Sequence, residues 1–417
     1  MVKKRNIVVL GAGFAGLRTA QDLSRKLKDP AFEIILVDKS DVHLFPADFY
    51  EVATAFHRKI TEECLLELKK TVAIPIETLI NKKINFIHDF VVDIDTNSKL
   101  IKLKKNEDLH YDYLVVALGS EVNYFGIDGL KEHSFTLKTL KDALKINCHL
   151  DQHFQKLWRE DKDQQVYINV GGGGATGVEL AAELVGYVNC LCEKYKYQRH
   201  KVKVQIIEGS DKLVGMEGKG KAIILERFKE LGVKVYFNTF ITKVSEDKLF
   251  VKADGEEREL DMNLLIWTGG VQVSKLVKKS IGSNEGRGAV LVNPYLQSNI
   301  DHNIFAAGDN AYFIDPVRGH LPMMAEPAYV EGALIAKNII NQIKGKPLLM
   351  LKAPPTRFLV PLGGKYALFV GEKFMFKGFF AWFLKRLIYF RYTFSIMSFV
   401  KALKKTFHST RIFVVND

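Results

Sequence analysis

The chain has 417 residues, of which 47% are apolar and 26% are charged, and these proportions exclude a disordered or fibrous protein. At about 150 residues per domain, this length predicts two or three domains. The formal net charge of +12 indicates an anionic partner, either nucleic acid or an acidic lipid surface.

Residues 1–10 form a short basic lead into a strand. They lack the apolar core of a signal peptide and the Ser/Arg richness of a transit peptide. No apolar run in the sequence approaches the roughly 20 residues that a membrane-spanning helix needs. We therefore expect any membrane contact to be peripheral.

Residues 6–38 predict a dinucleotide-binding βαβ unit. A strand runs into Gly11-Ala-Gly13-Phe-Ala-Gly16, a helix follows over 14–28, and a second strand ends at Asp38. Gly11 permits the tight turn, Gly13 lets the backbone approach a pyrophosphate, and Gly16 lets the helix pack closely. The helix N-terminus offers unpaired N–H groups to the phosphates. Asp38 follows Gly16 by 22 residues, near the interval of about 20 at which a carboxylate binds the ribose.

A second unit of the same kind begins at residue 165. Its strand leads into Gly172-Gly-Gly174-Ala-Thr-Gly177, a helix follows over 176–195, and the return strand ends at Glu208. The acid comes 31 residues after Gly177, later than the usual interval of about 20. An acid here binds the adenosine ribose and repels a 2′-phosphate, so we expect NADH to be preferred over NADPH.

Short strands and one further helix complete the pattern. The predicted strands cover 84–94, 99–104, 113–119, 233–237, 248–252, 264–269 and 303–309, and the helix covers 324–344. Two βαβ units with right-handed crossovers predict an α/β protein with two Rossmann-like dinucleotide-binding domains, one inserted in the other.

The two units, with Tyr113-Leu-Val-Val-Ala-Leu-Gly119 and Ile304-Phe-Ala-Ala-Gly-Asp309, resemble the pyridine nucleotide-disulfide reductase superfamily. The resemblance implies FAD at the first turn and NADH at the second, with Asp309 against the ribityl chain of the flavin. FAD suits such a reaction because it accepts a hydride and can release electrons singly.

Within that superfamily the sequence is most similar to the type II NADH dehydrogenases, single-chain NADH:quinone oxidoreductases that do not pump protons. The first two matching stretches are the segment from His43 to Thr54 and the second glycine turn continued to Glu183. The others are Leu264-Leu-Ile-Trp-Thr-Gly-Gly-Val271 and Gly378-Phe-Phe-Ala-Trp-Phe-Leu-Lys-Arg386, the latter similar to the family's membrane-binding segment.

The resemblance also implies site residues beyond the two turns and their acids. Glu179 is expected near the flavin, where it orients the nicotinamide or moves protons, and Lys385 is expected to reach toward the quinone site and Glu179. The further implied cofactor contacts are Phe14, Ala15, Lys39, Thr54, Gly119, Thr176, Gly269, Gly308 and Ala325.

The acceptor site departs from the family pattern. Where the family commonly has Ala-Gln-x-x-x-Gln, this chain has Ala325-Glu326-Pro-Ala-Tyr-Val330. One amide is replaced by a carboxylate and the other by an aliphatic side chain, which leaves the identity of the acceptor open. Glu326 is accordingly a candidate catalytic residue on the acceptor side.

The cysteines argue against thiol chemistry. Cys64 stands alone in the first domain, and Cys190 and Cys192 lie two residues apart, which places them on different faces of a helix. With Cys148 they form neither a C-x-x-C pair nor a zinc-spaced cluster, so we expect reduced thiols and no metal.

The C-terminal residues 372–417 carry nine Lys or Arg and two acids among many aromatics, a net +7 of the total +12. As helices they would bury aromatic rings in the lipid headgroup region and turn basic side chains toward anionic lipid. Six of the nine lie in the aromatic-rich stretches 379–392 and 399–407: Lys385, Arg386, Arg391, Lys401, Lys404 and Lys405. The alternative is an internal docking helix or a dimer face, against which the excess of Lys and Arg argues. Since neither turn nor its acid lies beyond Gly371, we expect truncation there to leave both units folded.

The predicted organisation has four segments. Residues 1–135 and 289–350 form the FAD-binding domain, 136–288 the NADH-binding domain, and 351–417 a C-terminal domain with amphipathic membrane-associating helices.

We expect an enzyme that passes electrons from NADH through FAD to a quinone. It would work at an anionic membrane surface, on the cytoplasmic face of the cell membrane or on an organellar inner membrane in a eukaryote. A homodimer is compatible with the sequence, and no nucleic acid is expected. The alternative is a soluble NADH-dependent flavoprotein reductase with a protein partner, or an apoptosis-inducing-factor-like flavoprotein whose basic surface binds nucleic acid.

Overall fold

The computed structural model of the chain describes residues 4–160, 163–317, 319–355 and 357–414. The first three residues of the basic lead and the last three of the C-terminal segment lie outside the described residues. The helices are α1 (Phe14–Lys26), α2 (Phe49–Thr54), α3 (Glu62–Val72), α4 (Leu140–Glu160), α5 (Ala175–Tyr195), α6 (Gly218–Leu231), α7 (Lys275–Ser280), α8 (Ala325–Ile343), α9 (Phe379–Ile396) and α10 (Phe399–Phe413).

The strands are short and numerous. In chain order they are β1 (Arg5–Leu10), β2 (Phe32–Asp38), β3 (Val42–Leu44), β4 (Ala73–Pro75), β5 (Ile84–His88), β6 (Val91–Asp95), β7 (Leu100–Leu103), β8 (Leu109–His110), β9 (Tyr113–Val116), β10 (Ser120–Val122), β11 (Phe135–Thr136), β12 (Val166–Gly171), β13 (Val202–Ile207), β14 (Val233–Tyr236), β15 (Thr239–Val244), β16 (Lys248–Ala253), β17 (Glu256–Asp261), β18 (Leu264–Trp267), β19 (Val271–Val273), β20 (Val290–Leu291), β21 (Ile304–Ala306), β22 (Ala311–Tyr312), β23 (Ile314–Asp315), β24 (Gly319–His320), β25 (Phe358–Pro361), β26 (Ala367–Val370) and β27 (Met375–Gly378).

The first of two compact units is built from Met1–Leu44, Ile74–Glu121 and Val271–Pro355. Its centre is a parallel sheet in the order β21-β9-β1-β2-β5. Ile7 and Leu10 of β1 are completely buried, as expected for a central strand covered on both faces. Helices α1 and α8 pack so closely that a Cβ on Gly332 would lie 2.3 Å from the carbonyl oxygen of Ala15.

The second compact unit is built from Phe45–Ala73, Val122–Gly270 and Thr356–Asp417. Its parallel sheet has the order β11-β18-β12-β13-β14. In each unit an antiparallel three-stranded meander follows a parallel edge strand: β6-β7-β8 follows β5 in the first, and β15-β16-β17 follows β14 in the second. The predicted α/β class with two Rossmann-like sheets is confirmed.

The compact units differ from the predicted domain boundaries. They change at Glu121 and Gly270, not at 135 and 288, and residues 45–73 belong with the second unit. The side-chain amide of Asn147 in α4 donates to the carbonyl oxygen of Ala55 at 2.8 Å, and Tyr187 of α5 donates to the carbonyl oxygen of Asn147 at 3.0 Å. These buried hydrogen bonds attach the segment 45–73, which contains α2, to α4 and α5.

The single strand predicted over 84–94 is wrong, because it divides into β5 and β6, which belong to different sheets. Asp89 lies at the break, where its carboxylate accepts from the backbone N–H groups of Phe90, Lys105 and Asn106 at 2.7–2.9 Å. A side chain that captures backbone donors in this way competes with the strand ladder.

The C-terminal segment is helical, as predicted, but one of its faces is internal. In α9 the buried residues from Trp382 onward recur every three or four positions, which is the spacing of a docking face: Trp382 with its neighbour Ala381, then Arg386, Tyr389, Thr393 and Ile396. Arg386 is buried, the side chain of Lys385 is only 12% exposed, and Lys405 donates to the carbonyl oxygens of Lys70 and Ala73 at 2.6 and 3.0 Å. The expectation that these three side chains face lipid is therefore wrong, because their charged groups form ion pairs or hydrogen bonds within the second unit.

Arg391, Lys401 and Lys404 are exposed, as expected. Among the described residues, no helix has both the length and the apolar character needed to cross a membrane.

Candidate functional site

The first glycine turn contains three glycines that are needed for two different reasons. A Cβ on Gly11, whose φ is +97°, would lie 2.2 Å from the carbonyl oxygen of Ala117, and one on Gly16 would lie 1.9 Å from that of Gly11. The packing of the chain itself therefore demands both glycines. Apart from its neighbours in the chain, a Cβ on Gly13 would meet no described atom within 4 Å. The space beside Gly13 is left for something that the chain does not supply.

The second turn repeats this division. A Cβ on Gly172, at φ +113°, would lie 2.7 Å from the Cα of Gly269, and one on Gly177 would lie 1.9 Å from the carbonyl oxygen of Gly172. A Cβ on Gly174 would again meet no described atom within 4 Å.

Gly13 and Gly174 are the N-cap residues of α1 and α5. Within the described chain neither helix has a side-chain cap or an acid in its first turn. An uncapped helix N-terminus beside an open glycine backbone fits a pyrophosphate at each turn.

The two strand-end acids hold their turns in the same way. Asp38 accepts from the N–H of Ala12 at 2.6 Å and from that of Ser40 at 2.8 Å. Glu208 accepts from the N–H of Gly173 at 2.6 Å and from that of Ser210 at 2.7 Å.

Glu208 is thus the structural counterpart of Asp38. It comes later in the sequence because α5 has 21 residues where α1 has 13. Burial raises the pKa of Asp38, while the hydrogen bonds from Ala12 and Ser40 oppose that rise.

Three implied cofactor residues of the first unit lie together where β9 and β21 end. Gly119 and Gly308 both have positive φ, and Gly119 exchanges two hydrogen bonds with the side-chain amide of Asn310, at 2.8 and 3.1 Å. The hydroxyl of Ser120 donates to the carboxylate of Asp309. Asp309 is therefore held in a fixed position beside two glycines.

Glu331 of α8 belongs to the same group, although it is not among the residues predicted from the sequence. Its carboxylate is buried and accepts from the N–H of Gly308 at 2.6 Å. Burial raises its pKa to about 7, against the effect of that hydrogen bond and with a further rise from the charge of Asp309. An acid on the apolar stripe of α8, three residues after Ala328, was the signal available in the sequence.

The remaining implied residues of the first unit have simpler surroundings. Phe14 begins α1 and packs edge-on against His43 with ring centroids 5.7 Å apart, Ala15 is buried, and Lys39 is exposed. Ala325 and Glu326 form the first turn of α8, where Glu326 is exposed. A shallow cleft beside this turn is lined by Gly308, Ala311, Phe313, Leu321, Pro322, Met323, Pro327, Ala328 and Glu331.

Three implied residues of the second unit do not all face open space. Thr176 is exposed on the first turn of α5. Gly269 is packed, because a Cβ there would lie 2.3 Å from the ring of Trp267. Thr54 is buried, and its hydroxyl donates to the carbonyl oxygen of Tyr50 at 2.9 Å within its own helix.

A buried ion cluster lies in the second unit, formed by Asp48, Tyr50, Glu51, Lys385 and Arg386. The ammonium of Lys385 lies 3.0 Å from Asp48 and 2.6 Å from Glu51, and it also donates to the hydroxyl of Tyr50. Arg386 donates to both carboxylate oxygens of Glu51 at 3.1 Å. Asp48 is only 1% exposed and Glu51 only 7%. Two anions and two cations are thus enclosed together, which makes each dependent on the others.

The cluster sets the protonation of its members and of Glu179. Burial opposes ionisation of Glu51, but Arg386 and Lys385 outweigh it and lower its pKa to about 2. Burial raises the pKa of Glu179 to about 8; Lys385 opposes this, and the charges of Asp48 and Glu51 add to it. At neutral pH Glu51 is therefore ionised while Glu179 holds a proton. Lys385 acts on Glu179 electrostatically, as its implied position suggested, but its closest ionic contacts are Asp48 and Glu51.

The cluster contradicts the expectation that truncation after Gly371 leaves both units folded. Truncation after Gly371 would leave Asp48 and Glu51 buried without their cations, which is strongly unfavourable. It would also expose β26, against which Ala381 and Trp382 of α9 pack.

Comparisons with known proteins agree with this geometry. Residues 5–332 match the family model described as pyridine nucleotide-disulphide oxidoreductase. The chain is 32% identical over 349 residues to the type II NADH:quinone oxidoreductase of Staphylococcus saprophyticus, covering 82% of this chain and 84% of the relative. The enzyme of the same description from Staphylococcus aureus matches to the same extent.

Two solved structures show the same fold. NDH2 from Plasmodium falciparum, solved in complex with NADH, is 19% identical with a TM-score of 0.84, covering 99% of this chain and 98% of that one. The sulfide:quinone oxidoreductase of Aquifex aeolicus is 21% identical with a TM-score of 0.76, covering 92% and 89%.

Proposed function

The chain belongs to the pyridine nucleotide-disulphide oxidoreductase family and, within it, to the type II NADH:quinone oxidoreductases, and we propose that it passes electrons from NADH through FAD to a quinone without pumping protons. The observation that carries the proposal is the pair of equivalent glycine turns, each with its middle glycine open and its acid fixed. Such a pair fits two dinucleotides, one on each unit.

FAD is the dinucleotide proposed for the first unit. Gly13 and the start of α1 fit its pyrophosphate, Asp38 its ribose, and Asp309 its ribityl chain. When bound, the flavin would supply the ability to take two electrons from a nicotinamide and release them to a quinone. The fixed strand ends at Gly119 and Gly308 would hold it in place.

NADH is proposed for the second unit. Gly174 and the start of α5 fit its pyrophosphate, and Glu208 fits the adenosine ribose. A carboxylate there would repel the 2′-phosphate of NADPH.

A quinone is the proposed acceptor, since its reduction consumes protons that a protein group can supply. Glu179 holds a proton at neutral pH and senses the charge of Lys385, so we assign it to proton delivery.

Glu326 is assigned to the acceptor side because it replaces an amide of the family pattern. Glu326→Gln should change the rate of flavin reoxidation by quinone several-fold and leave flavin reduction by NADH intact. Rapid-mixing absorbance traces of both half-reactions measure this, and an altered reductive step would contradict the assignment.

The proposed place of work is an anionic membrane surface. Outward-facing side chains of α9 and α10 are large and apolar, with Phe380 and Phe407 as much as 76% and 72% exposed. Arg391, Lys401 and Lys404 are exposed on the same two helices. Exposed aromatics beside Lys and Arg fit the headgroup region of anionic lipid.

The proposed function is tested by NADH oxidation with a panel of quinones, using FAD-loaded protein with and without anionic liposomes. We expect quinone-dependent turnover and co-sedimentation with the liposomes that high salt reduces only in part. Flavin reduction by NADH without reoxidation by any quinone would instead favour a reductase that serves a protein partner.

A further inference from the structure

The resemblance between the two units extends past the acids to the next strand. The N–H of Asp89 donates to the carbonyl oxygen of Asp38 at 2.9 Å, and the N–H of Thr239 donates to that of Glu208 at the same distance. Each of these residues is followed by a phenylalanine, Phe90 and Phe240.

Each phenylalanine also stands at the start of the meander of its unit. The first strand pair of each meander has a register irregularity at the same place, between Val91 and Asp93 and between Ile241 and Lys243. Both rings are exposed, Phe90 by 46% and Phe240 by 61%. The repetition makes an exposed ring beside the strand-end acid a feature of this architecture in both units.

Phe240 lies directly beside the segment that follows Glu208. The N–H of Asn238 donates to the carbonyl oxygen of Ser210 at 3.1 Å, in addition to the bond from Thr239. A Cβ on Gly209 would lie 2.7 Å from Cε1 of Phe240, so one edge of the ring rests on the Gly209 backbone. The rest of the ring is open to solvent.

The exposure of Phe240 is not explained by the packing of its strand. In β15 the buried residues are Thr239, Ile241 and Val244, and Phe240 points away from them. Contact between the apolar surface of an exposed aromatic ring and water is unfavourable. The ring also offers a π-face on which a base can stack.

We infer that Phe240 is the platform on which the adenine of the nicotinamide dinucleotide stacks. The inference rests on the proposed function, in which the pyrophosphate lies at Gly174 and the adenosine ribose at Glu208. The adenine is attached to that ribose and therefore comes next beyond Glu208, where Gly209 and the ring of Phe240 lie. Phe240 is thus a determinant of affinity for the adenylate half of the dinucleotide and takes no part in the chemistry at the nicotinamide.

The test compares AMP, nicotinamide mononucleotide and NAD⁺ as ligands of FAD-loaded protein by calorimetric titration. Phe240→Ala should weaken the binding of AMP and of NAD⁺ by the same factor, between about 5-fold and 150-fold, which corresponds to one lost base–aromatic stack. Nicotinamide mononucleotide should bind unchanged. In turnover the KM for NADH should rise by a similar factor while kcat stays the same. Phe240→Tyr should retain the affinity for AMP.

Trp158→Ala is the matched control, since it removes a ring that is 45% exposed on α4 of the same unit. It should leave all three affinities unchanged. Unchanged AMP affinity in Phe240→Ala would overturn the inference, as would an equal loss for AMP and nicotinamide mononucleotide, which would show that the ring is only structural. Wild-type protein that binds neither AMP nor NAD⁺ would instead overturn the assignment of the dinucleotide to the second unit.

Discussion

Each unit has a turn with one open glycine, a helix after it and an acid that holds the turn. In the first unit these are Gly13, the 13-residue α1 and Asp38. In the second unit they are Gly174, the 21-residue α5 and Glu208. The backbone contacts of the two acids agree to within about 0.1 Å. The surroundings differ. In the first unit, the buried carboxylate of Glu331 accepts a hydrogen bond from a backbone N–H. In the second unit, the buried carboxylate of Glu51 forms ion pairs with two cations of α9.

The comparison separates two tasks. Binding a dinucleotide depends on a local turn that can be repeated in two places, since its geometry needs only a strand, three glycines and an acid. Assembling the buried ion cluster depends on segments far apart in sequence, 45–73 and the C-terminal helices, that meet only in the folded second unit.

The largest expected effect comes from filling the open glycines one at a time. Gly13→Val should abolish retention of FAD, while Gly174→Val should keep FAD and lose NAD⁺ binding, because each side chain occupies the space of one pyrophosphate. Flavin absorbance after gel filtration and calorimetric NAD⁺ titration measure the two outcomes.

Gly16→Val serves as the contrast for this pair. Its Cβ would lie 1.9 Å from the carbonyl oxygen of Gly11, so it should destabilise the fold itself. If Gly13→Val kept full flavin occupancy, the assignment of FAD to the first unit would be lost.

The next effect separates the buried cluster from surface charge. Arg386→Met should lower the free energy of unfolding by about 3–5 kcal/mol, because Glu51 would lose its bidentate partner while still buried. Lys377→Met, which breaks the half-exposed pair with Glu226, should cost less than about 1 kcal/mol. Urea denaturation of the two variants measures the difference, and equal costs would show that the cluster contributes no more than a surface pair.

A pH effect should distinguish Glu179 from Glu51, whose pKa is lowered by its two cations. Its pKa is raised from 4.5 to about 8 in the folded protein, so the stability it contributes is fully present below pH 4.5 and is lost as pH rises toward 8. The slope is at most about 1.4 kcal/mol per pH unit.

Glu179→Gln should remove the part of the decline that Glu179 causes, since an amide does not titrate, while the part due to Glu331 remains. Thermal unfolding of wild type and variant across that pH range measures it. Parallel pH profiles for the two proteins would mean that Glu179 ionises at its ordinary pKa.

The smallest effect concerns nucleotide choice at Glu208. Glu208→Gln keeps an oxygen that can accept from the N–H of Gly173 but removes the charge that repels a 2′-phosphate. The preference for NADH over NADPH, measured as the ratio of kcat/KM values, should fall about tenfold, or about 1.4 kcal/mol. A wild-type enzyme that uses NADPH equally well would contradict the placement of this acid.

Local patterns in the sequence were sufficient for the turns and insufficient for the cluster. The glycines, Asp38 and Glu208 could be predicted because their neighbours in space are also near in sequence. Glu51 and Arg386 are 335 residues apart, and no periodicity relates them. Glu331 could have been predicted, because an acidic residue on the apolar face of a helix departs from the usual pattern. The tail was predicted as an interfacial helix, but its basic residues divide between an exposed face and a buried one, which depends on where α9 docks.

The most direct test of the central claim, that the two units bind different dinucleotides and exchange electrons, is anaerobic rapid mixing monitored by flavin absorbance. FAD-loaded wild-type protein should lose its oxidised-flavin band on mixing with NADH and recover it on mixing with a quinone, while Gly174→Val retains the band throughout the first step. Flavin reduction by NADH at the wild-type rate in Gly174→Val would contradict the account.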